Sequence, residues 1–386
     1  MKGNKVFKLL VTIIFILFPL TACVGEGDVS AQRQAWVSDK SNQILIGIPG
    51  PGDLMKNGTG FIDGVNLAVK EVNAQGGIGG RELGVIVKDD EGSFMTGTTI
   101  AQSFVNNPKV VAVVGHWHSH ITIPASTIYE KSGLVMLSPV VSNTNLTQRG
   151  YQFVFQNIPT DDEIGKQMAL FAKQQGYRHI AIYYADTSYG RGLANSFEDV
   201  ARRNNISIVG RASEFKDDND FMRTIEKWKA LDYEAVFVAD SLPAATDFIT
   251  KLKKINPDIP IMGGDGLDFD FIETLGAAAE GAVLATSYNP DSERPELEQF
   301  KQKFMEEYGQ KPDVWAIQGY DSIKLLADAM NNTETPTPEN IAQQLRALKD
   351  WPGIIDDISF NENGAVEGKT VYKKMVRNGE FVYLEK

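Results

Sequence analysis

Residues 179–239 decide the fold and read HIAIYYADTSYGRGLANSFEDVARRNNISIVGRASEFKDDNDFMRTIEKWKALDYEAVFVA. Three short apolar runs, at 179–184, 206–209 and 235–239, alternate with two polar stretches whose apolar residues recur at helical spacing. Strands that are apolar on both faces belong in a parallel sheet that is covered on both sides, and the intervening helices supply that cover. This stretch therefore predicts a doubly wound α/β unit.

The same alternation recurs on either side of this unit. Upstream, the pattern predicts strands at 44–48, 83–87, 110–114 and 134–137, with helices at 61–73, 98–105 and 122–131. Downstream, it predicts a helix at 244–254, strands at 259–262 and 282–285, long helices at 294–308, 312–330 and 338–348, and a hairpin tail at 358–383. Two blocks of this kind predict two doubly wound parallel-sheet lobes.

Composition narrows the class of protein. The chain has 386 residues, of which 42% are apolar and 23% are charged, as in soluble globular proteins. Its net charge is −12 and no basic stripe occurs, which argues against nucleic acid as a partner. One cysteine, Cys23, leaves no intrachain disulfide possible.

The N-terminus is typical of an exported lipoprotein. Lysines precede an apolar run at 9–20 that is too short to span a bilayer, and the run ends in Leu-Thr-Ala-Cys at 20–23. This pattern predicts a signal peptide with lipobox over 1–22, lipidation of Cys23 and a flexible lipid-anchored tether over 23–42. The protein is expected in the cell envelope, on a bacterial membrane and facing the periplasm or exterior. The alternative is a plain signal peptide and a buried free thiol.

Small polar side chains follow several predicted strands. The segment 119–122 and the loop 138–144 are rich in hydroxyl groups, and a helix N-terminus at the first would favour an anion. Asp186 and Asp265 follow strands of the second block, where a carboxylate could receive a cation. Both segments lie where open α/β sheets bind ligands. Ordinary helix capping and solvated turn acids are the alternatives.

Three histidines, His116, His118 and His120, alternate in the stretch HWHSH. If this stretch is extended, they share one face and could bind zinc, which leaves a zinc-dependent hydrolase as a remote alternative. No acidic residue lies within the stretch, and no nucleophile elbow or Cys/His pair is found. We therefore expect no enzyme activity, no metal and no cofactor.

Most of the chain resembles the leucine/isoleucine/valine-binding family of solute receptors that feed ABC importers. The resemblance covers about residues 44–381 and rests on the order and spacing of several short motifs. These are GVNLAVKEVNAQGGIGGR at 64–81, DDE at 89–91, VGH at 114–116, PAS at 124–126, IYE at 128–130, SP at 138–139, LTQRGY at 146–151, YGRG at 189–192 and EG at 280–281.

The resemblance implies a type I periplasmic binding protein fold, in which three hinge crossings join two lobes around a ligand cleft. Lobe one would comprise 43–160 plus 290–368, and lobe two would comprise 161–289 plus 369–386. Such a receptor captures a small molecule by closing the lobes and then docks on an ABC permease, and a monomer suits this role. A sensor without a transport role is the alternative.

The resemblance also implies roles for single residues. Ser119 matches the residue that binds the ligand α-carboxylate, Val140 a backbone contact, and Ser142 a hydroxyl contact to the head group. Tyr189 matches an aromatic residue that covers the ligand, and Asp265 matches the acid that pairs with the α-ammonium. An α-amino acid is therefore the expected ligand, with an aromatic acid, an amide or urea as alternatives.

Four positions depart from the family pattern. Asn57 and Ser241 match positions at which the family has aromatic residues. Trp117 and His118 match positions that, in the family, surround the aliphatic side chain of the ligand. A pocket wall formed by Trp117 favours a ligand with an aromatic or larger apolar side chain, whereas His118 favours a ligand side chain that ends in a polar group. These differences argue against a simple copy of the family's aliphatic pocket.

Overall fold

The computed structural model describes residues 28–384. The predicted signal peptide over 1–22 and the lipidation site Cys23 lie outside these residues. Within 28–384, no helix is both long and apolar enough to cross a membrane.

One helix, α1 (Val29–Ser38), lies within the segment 23–42 that was predicted to be a flexible tether. Its Arg33 is buried, and the guanidinium donates hydrogen bonds to the main-chain oxygens of Val110 at 2.7 Å and Val105 at 2.8 Å. The tether prediction is therefore wrong for this helix. The helix was not predicted because the segment has no clear apolar periodicity. A buried charged side chain, Arg33, helps to hold it in place.

The first lobe is built on a five-stranded parallel sheet. Its elements in chain order are β1 (Ile44–Gly50), α2 (Phe61–Ala74), β2 (Leu83–Asp89), α3 (Phe94–Val105), β3 (Val110–Val114), α4 (Ser119–Lys131), β4 (Val135–Ser138) and β5 (Val154–Gln156). The strands lie in the order β2-β1-β3-β4-β5, and all neighbouring pairs are parallel. Four of the five strands were predicted from their apolar runs, whereas β5 was not.

The second lobe repeats this architecture. Its elements are α5 (Asp161–Gln174), β6 (His179–Tyr184), α6 (Ser188–Arg203), β7 (Ser207–Ala212), α7 (Asp218–Ala230), β8 (Ala235–Ala239), α8 (Thr246–Ile255), β9 (Ile261–Gly263), α9 (Phe271–Leu275) and β10 (Val283–Thr286). Its central strands are covered on both faces. Val236 and Val238 of β8 belong to one hydrophobic core, while Ala235, Phe237 and Ala239 belong to the other.

The C-terminal part of the chain contributes to both lobes. Its elements are α10 (Pro295–Tyr308), α11 (Val314–Asn331), α12 (Pro338–Ala347), β11 (Trp351–Pro352), β12 (Asp357–Phe360), β13 (Val366–Glu367), β14 (Tyr372–Arg377) and β15 (Glu380–Tyr383). Helix α11 packs against α2 of the first lobe, where Gly64 allows close approach because a Cβ there would lie 1.9 Å from the carbonyl oxygen of Ala316. Strands β14 and β15 complete the second sheet in the order β15-β14-β10-β9-β8-β6-β7.

The chain passes between the two sheets three times. The crossings follow β5, β10 and β13, and the predicted two-lobed α/β class with three crossings is confirmed. The exact lobe boundaries stay a prediction. Because the carboxyl ends of the parallel strands in each sheet lie at one edge, the loops that follow them meet between the lobes.

Candidate functional site

A cavity of about 480 Å³ lies between the lobes at the carboxyl ends of the strands. Loops after β3 and β4 line it from lobe one, and loops after β6, β7, β8 and β9 line it from lobe two. Eight of the nine predicted ligand-binding residues line this cavity: Trp117, His118, Ser119, Val140, Ser142, Tyr189, Ser241 and Asp265. The fold thus brings together residues that are up to 148 positions apart in the chain (265 − 117).

Asn57 is the predicted residue that does not line the cavity. It lies in the π-helical turn Leu54–Gly58 and is exposed to solvent. The first residue of this turn, Leu54, faces the cavity instead. The predicted contact from Asn57 is therefore wrong, because the residues of this tightly wound turn lie on different sides of it and Asn57 lies on the solvent side.

The wall from lobe one presents hydrogen-bond donors to the cavity. Helix α4 begins at Ser119, which is buried, so the first-turn N–H groups of the helix lie at the cavity edge. Ser142 is also buried beside the cavity. A helix N-terminus next to a hydroxyl group is an environment that favours an anion such as a carboxylate.

A buried glutamine holds the second lobe-one loop in position. The side-chain amide of Gln156 donates to the main-chain oxygen of Val141 at 2.6 Å, and its carbonyl accepts from the Thr147 hydroxyl at 3.2 Å. Both side chains are buried. This bracing fixes Val140 and Ser142, which flank Val141, against the cavity.

The wall from lobe two presents an acid held by a tyrosine. The Tyr189 hydroxyl donates to Asp265 at 2.9 Å and accepts from the N–H of Gly266 at 2.8 Å. Glycine is required at 266 because a Cβ there would lie 2.7 Å from the Tyr189 oxygen. Burial raises the pKa of Asp265 to about 6, so the carboxyl is ionised at neutral pH but lacks a cationic partner among the described residues.

Sequence reasoning missed Asp161, which begins α5 at the first crossing. Its N–H donates to the main-chain oxygen of Ser142 at 2.8 Å, and the residue is only 1% exposed. Neither carboxylate oxygen has a well-aligned hydrogen-bond partner among the described residues. Burial, and then the charge of Asp265, raises the pKa of Asp161 well above its usual value. In the sequence it resembles any first-turn helix acid, so no local pattern could have singled it out.

A second acid, Asp240, was also missed. It directly follows β8, and it lines the cavity while being only 3% exposed. Burial raises its pKa to about 6, and among the described residues it accepts a hydrogen bond from the N–H of Ser241 at 2.7 Å. A signal was available, since Asp240 stands directly behind an apolar strand much as Asp265 follows β9.

Aromatic side chains close the apolar part of the cavity. Trp117 packs against Trp315, with ring centroids 5.1 Å apart, and against the edge of Phe61 at 5.6 Å. Phe269 and Leu54 also line this part. The rings form a rigid apolar wall on which an aliphatic or aromatic stem can pack.

The three histidines do not share a face. His116 is buried in the lobe-one core, where its ring nitrogens contact Asp90 at 2.9 Å and the Tyr129 hydroxyl at 3.1 Å. Helix α4 begins directly after His118, and the rings of His118 and His120 stack with their centroids 5.6 Å apart. The extended arrangement was therefore the wrong premise, and within residues 28–384 no group of three His, Cys, Asp or Glu side chains is placed to hold a metal ion.

The imidazole of His118 is expected to be neutral at neutral pH. Burial lowers its pKa, and the nearby His120 lowers it further. His118 can therefore donate or accept a hydrogen bond at the cavity, but it contributes little positive charge there.

Comparison with known proteins places the chain in a family. The sequence model described as "Periplasmic binding protein" matches residues 44–376. Leu/Ile/Val-binding protein homolog 1 of Brucella abortus is 26% identical over 89% of this chain and 93% of its own length. The leucine-specific-binding protein of Salmonella typhimurium is 27% identical over 90% and 94%.

A solved structure shows the same fold. The ABC transporter substrate-binding protein from Desulfitobacterium hafniense, in complex with Leu, is 38% identical to this chain, with a TM-score of 0.81 over 89% of this chain and 100% of its own. The family consists of solute-binding proteins and not enzymes. The chain belongs to the periplasmic binding protein family.

Proposed function

We propose that the protein captures an α-amino acid outside the cytoplasm by closing its two lobes around it, and delivers it to an ABC permease. The observation that carries this proposal is the opposite chemistry of the two cleft walls. Lobe one offers the N-terminus of α4 with Ser119 and Ser142, which suit a carboxylate. Lobe two offers the buried acid Asp265, which suits an ammonium group.

A zwitterion would link ligand binding to lobe closure. Its carboxylate would bind to lobe one and its ammonium to lobe two, and only the closed arrangement serves both charges. Such a ligand shifts the population towards the closed state because it interacts more strongly with that state. In this proposal Val140 contributes a main-chain contact and Tyr189 covers the head group.

The relatives support the amino-acid class. The Salmonella relative is named a leucine-specific-binding protein, and the Desulfitobacterium structure contains Leu. In this chain the aromatic wall of Trp117 and Trp315 favours a ligand with an apolar stem, and Ser241 and His118 bring polar groups to the same space.

Anchoring at Cys23 belongs to the same proposal. A lipidated Cys23 would keep the receptor on the membrane that carries its permease, and a monomer would offer one lobe to each half of the transporter. The variant Cys23→Ala should release the protein from the membrane fraction. Deletion of the gene should abolish uptake of the ligand. Unchanged uptake, together with a loss of ligand-dependent signalling, would favour the sensor alternative.

The ligand class is tested by thermal unfolding of the protein from residue 28 onward, with a panel of the amino acids, benzoate-type acids, small amides and urea. A ligand present at a hundred times its dissociation constant adds about 2.7 kcal/mol to the free energy of unfolding. Shifts confined to amino acids would support the proposal. Equal shifts with acids that lack an amine would contradict the role of Asp265.

A further inference from the structure

Lobe two carries a second buried carboxylate at the cavity, besides the one assigned to the ligand ammonium. Asp240 and Asp265 follow β8 and β9, which pair in parallel. The N–H of Leu242 donates to the carbonyl of Gly266 at 3.1 Å, so the two acid-bearing loops are bound to each other. Neighbouring strands lie about 4.8 Å apart, which places both acids within the span of one small ligand.

Asp240 has no cationic partner among residues 28–384. Its oxygen Oδ1 accepts the N–H of Ser241, and its other oxygen Oδ2 accepts no hydrogen bond from a described residue. The residue is nonetheless only 3% exposed and lines the cavity. A buried carboxylate without a counter-charge is costly, so a cation in the cavity would stabilise it.

The remaining charges at the cavity do not supply this cation. No lysine or arginine of the described part of the chain lines the cavity. Asp186 lines it but pairs with Arg191 outside, and Glu214 adds an exposed negative charge at the rim. On the facing wall, burial keeps the pKa of His118 low. The cavity therefore has an excess of negative charge on lobe two.

An α-amino acid with a neutral side chain would leave that excess in place. Its α-ammonium would pair with Asp265, but its α-carboxylate offsets that charge within the head group. Asp240 would then be shut away from solvent on closure with no opposite charge. A second positive group on the ligand would remove this cost.

The surroundings of Asp240 suit such a group. Tyr183 lines the cavity nearby and stacks on Phe248 with centroids 3.8 Å apart. Burial, and then the charges of Asp240, Asp247 and Glu214, raises the pKa of Tyr183 to about 12. Its phenol therefore stays neutral and adds no charge of its own beside Asp240.

On the basis of the proposed function, we propose that the ligand is an α-amino acid whose side chain has an apolar stem and a positively charged tip, an amine or a guanidinium. The head group binds between Ser119 and Asp265, the stem packs on Trp117, and the tip pairs with Asp240. Asp240 is then the residue that determines specificity for the side chain.

The test compares lysine with norleucine, which has the same stem without the amine, by calorimetric titration at pH 7. We expect lysine to bind the wild-type protein at least tenfold more tightly than norleucine. In Asp240→Asn this preference should fall at least tenfold, because the carboxylate that discriminates is gone. Arginine and ornithine extend the comparison to other tip lengths.

Asp247→Asn serves as the matched control. Asp247 lies on α8 of the same lobe, is exposed and pairs with Lys251 at 2.9 Å, so its loss changes the lobe charge equally without altering the cavity wall. The lysine preference should persist in this variant. If Asp240→Asn does not fold, Asp240→Ser is used instead, and the wild-type comparison is decisive without any variant.

Three outcomes would overturn the inference, and they separate it from the proposed function. If leucine or norleucine binds the wild type as tightly as lysine or more tightly, the cationic-tip assignment is wrong while the amino-acid proposal stands. If lysine is preferred but equally so in Asp240→Asn, Asp240 does not carry the preference. If no amino acid binds, both proposals fail.

Discussion

The two walls of the cleft differ in charge, and in how that charge is held. Lobe one presents neutral donors, the first turn of α4 at Ser119 and the hydroxyl of Ser142, in a loop braced by Gln156. Lobe two presents the buried acids Asp240 and Asp265, whose pKa values burial raises to about 6. The lobe-one wall therefore offers neutral donors to the cavity, whereas the lobe-two wall carries two carboxylates that lack a cationic partner among the described residues.

This difference suggests where the energy of closure comes from. Neutral donors lose little when the cleft opens, because water replaces their partners. Buried carboxylates gain much more from a cationic partner in a cavity that excludes water. We therefore expect substitutions on lobe two to change affinity more than substitutions on lobe one.

The largest effect is expected from Asp265→Asn. The amide cannot pair electrostatically with the ligand ammonium, so affinity should fall by about 2–5 kcal/mol in calorimetric titration. Asp247→Asn, an exposed change on the same lobe, should leave affinity within about 0.5 kcal/mol of wild type. If the two variants bind the ligand equally well, Asp265 does not contact the ammonium.

Affinity should also depend on pH through lobe two. The pKa of Asp265 is about 6 in the unliganded protein, and pairing with an ammonium would lower it, so binding releases a proton near pH 6. Below that pKa the affinity should fall about tenfold per pH unit for this group. Titrations from pH 7 to pH 5 in two buffers would measure both effects, and Asp265→Asn should make the profile less steep, leaving the part due to Asp240. A profile that rises towards pH 5 would contradict this assignment.

The same raised pKa values predict how pH affects folding of the unliganded protein. Asp240 and Asp265 bind protons more tightly when folded than when unfolded, so between about pH 4 and pH 6 the folded state holds more protons. Their contribution to the free energy of unfolding is therefore present at low pH and is lost as pH rises through about 6. Replacing both by asparagine should reduce this pH dependence in denaturant titrations; an unaltered curve would show that neither group titrates with a raised pKa.

A moderate effect is expected on lobe one. Ser142→Ala removes a hydroxyl from the carboxylate site, and a hydrogen bond to a charged group is worth about 1.5–3 kcal/mol. Affinity should fall by that amount or less, since water can replace part of the contact. Ser119→Ala should act similarly but retain the N–H groups of α4. Losses larger than that of Asp265→Asn would reverse the proposed ranking of the two walls.

The smallest effect is expected from Glu214→Gln at the cavity rim. Glu214 is exposed, so solvent screens its charge and affinity should change by about 0.5 kcal/mol or less. Its contribution should weaken further in salt. A loss comparable to that of Asp265→Asn would mean that Glu214, and not a buried acid, receives the ligand cation.

Much of the fold could be predicted because apolar runs mark buried parallel strands. The apolar runs at β3 and β8 are easily recognised in the sequence. The loops that follow such runs predict the location of the cleft. Helix α1 was not predicted because its sequence has no apolar stripe and because the buried guanidinium of Arg33 contributes to its packing. Short β5, only three residues long, has too few side chains to show a period.

Within the site, the sequence indicated the location of residues in loops that follow apolar strands, but not the location of residues that tertiary packing buries. Ser119 and Asp265 lie at the cavity as expected, although their binding roles stay predictions. Asp161 looks like an ordinary first-turn helix acid in the sequence, and only the packing at the first crossing buries it, whereas Asp240 directly follows the apolar run of β8 and could have been found by that position. His116 turns inwards to Asp90, which no spacing rule could show.

The central claim is that a zwitterion bridges the two walls. It is tested most directly by titrating the wild-type protein with the amino acid that binds it most tightly and with two analogues, its α-deamino acid and its decarboxylated amine. The account predicts that each analogue binds at least a hundredfold more weakly, since each lacks one of the two head-group charges. If the deamino acid binds as tightly as the amino acid, Asp265 is not the partner of a ligand ammonium and the account is wrong.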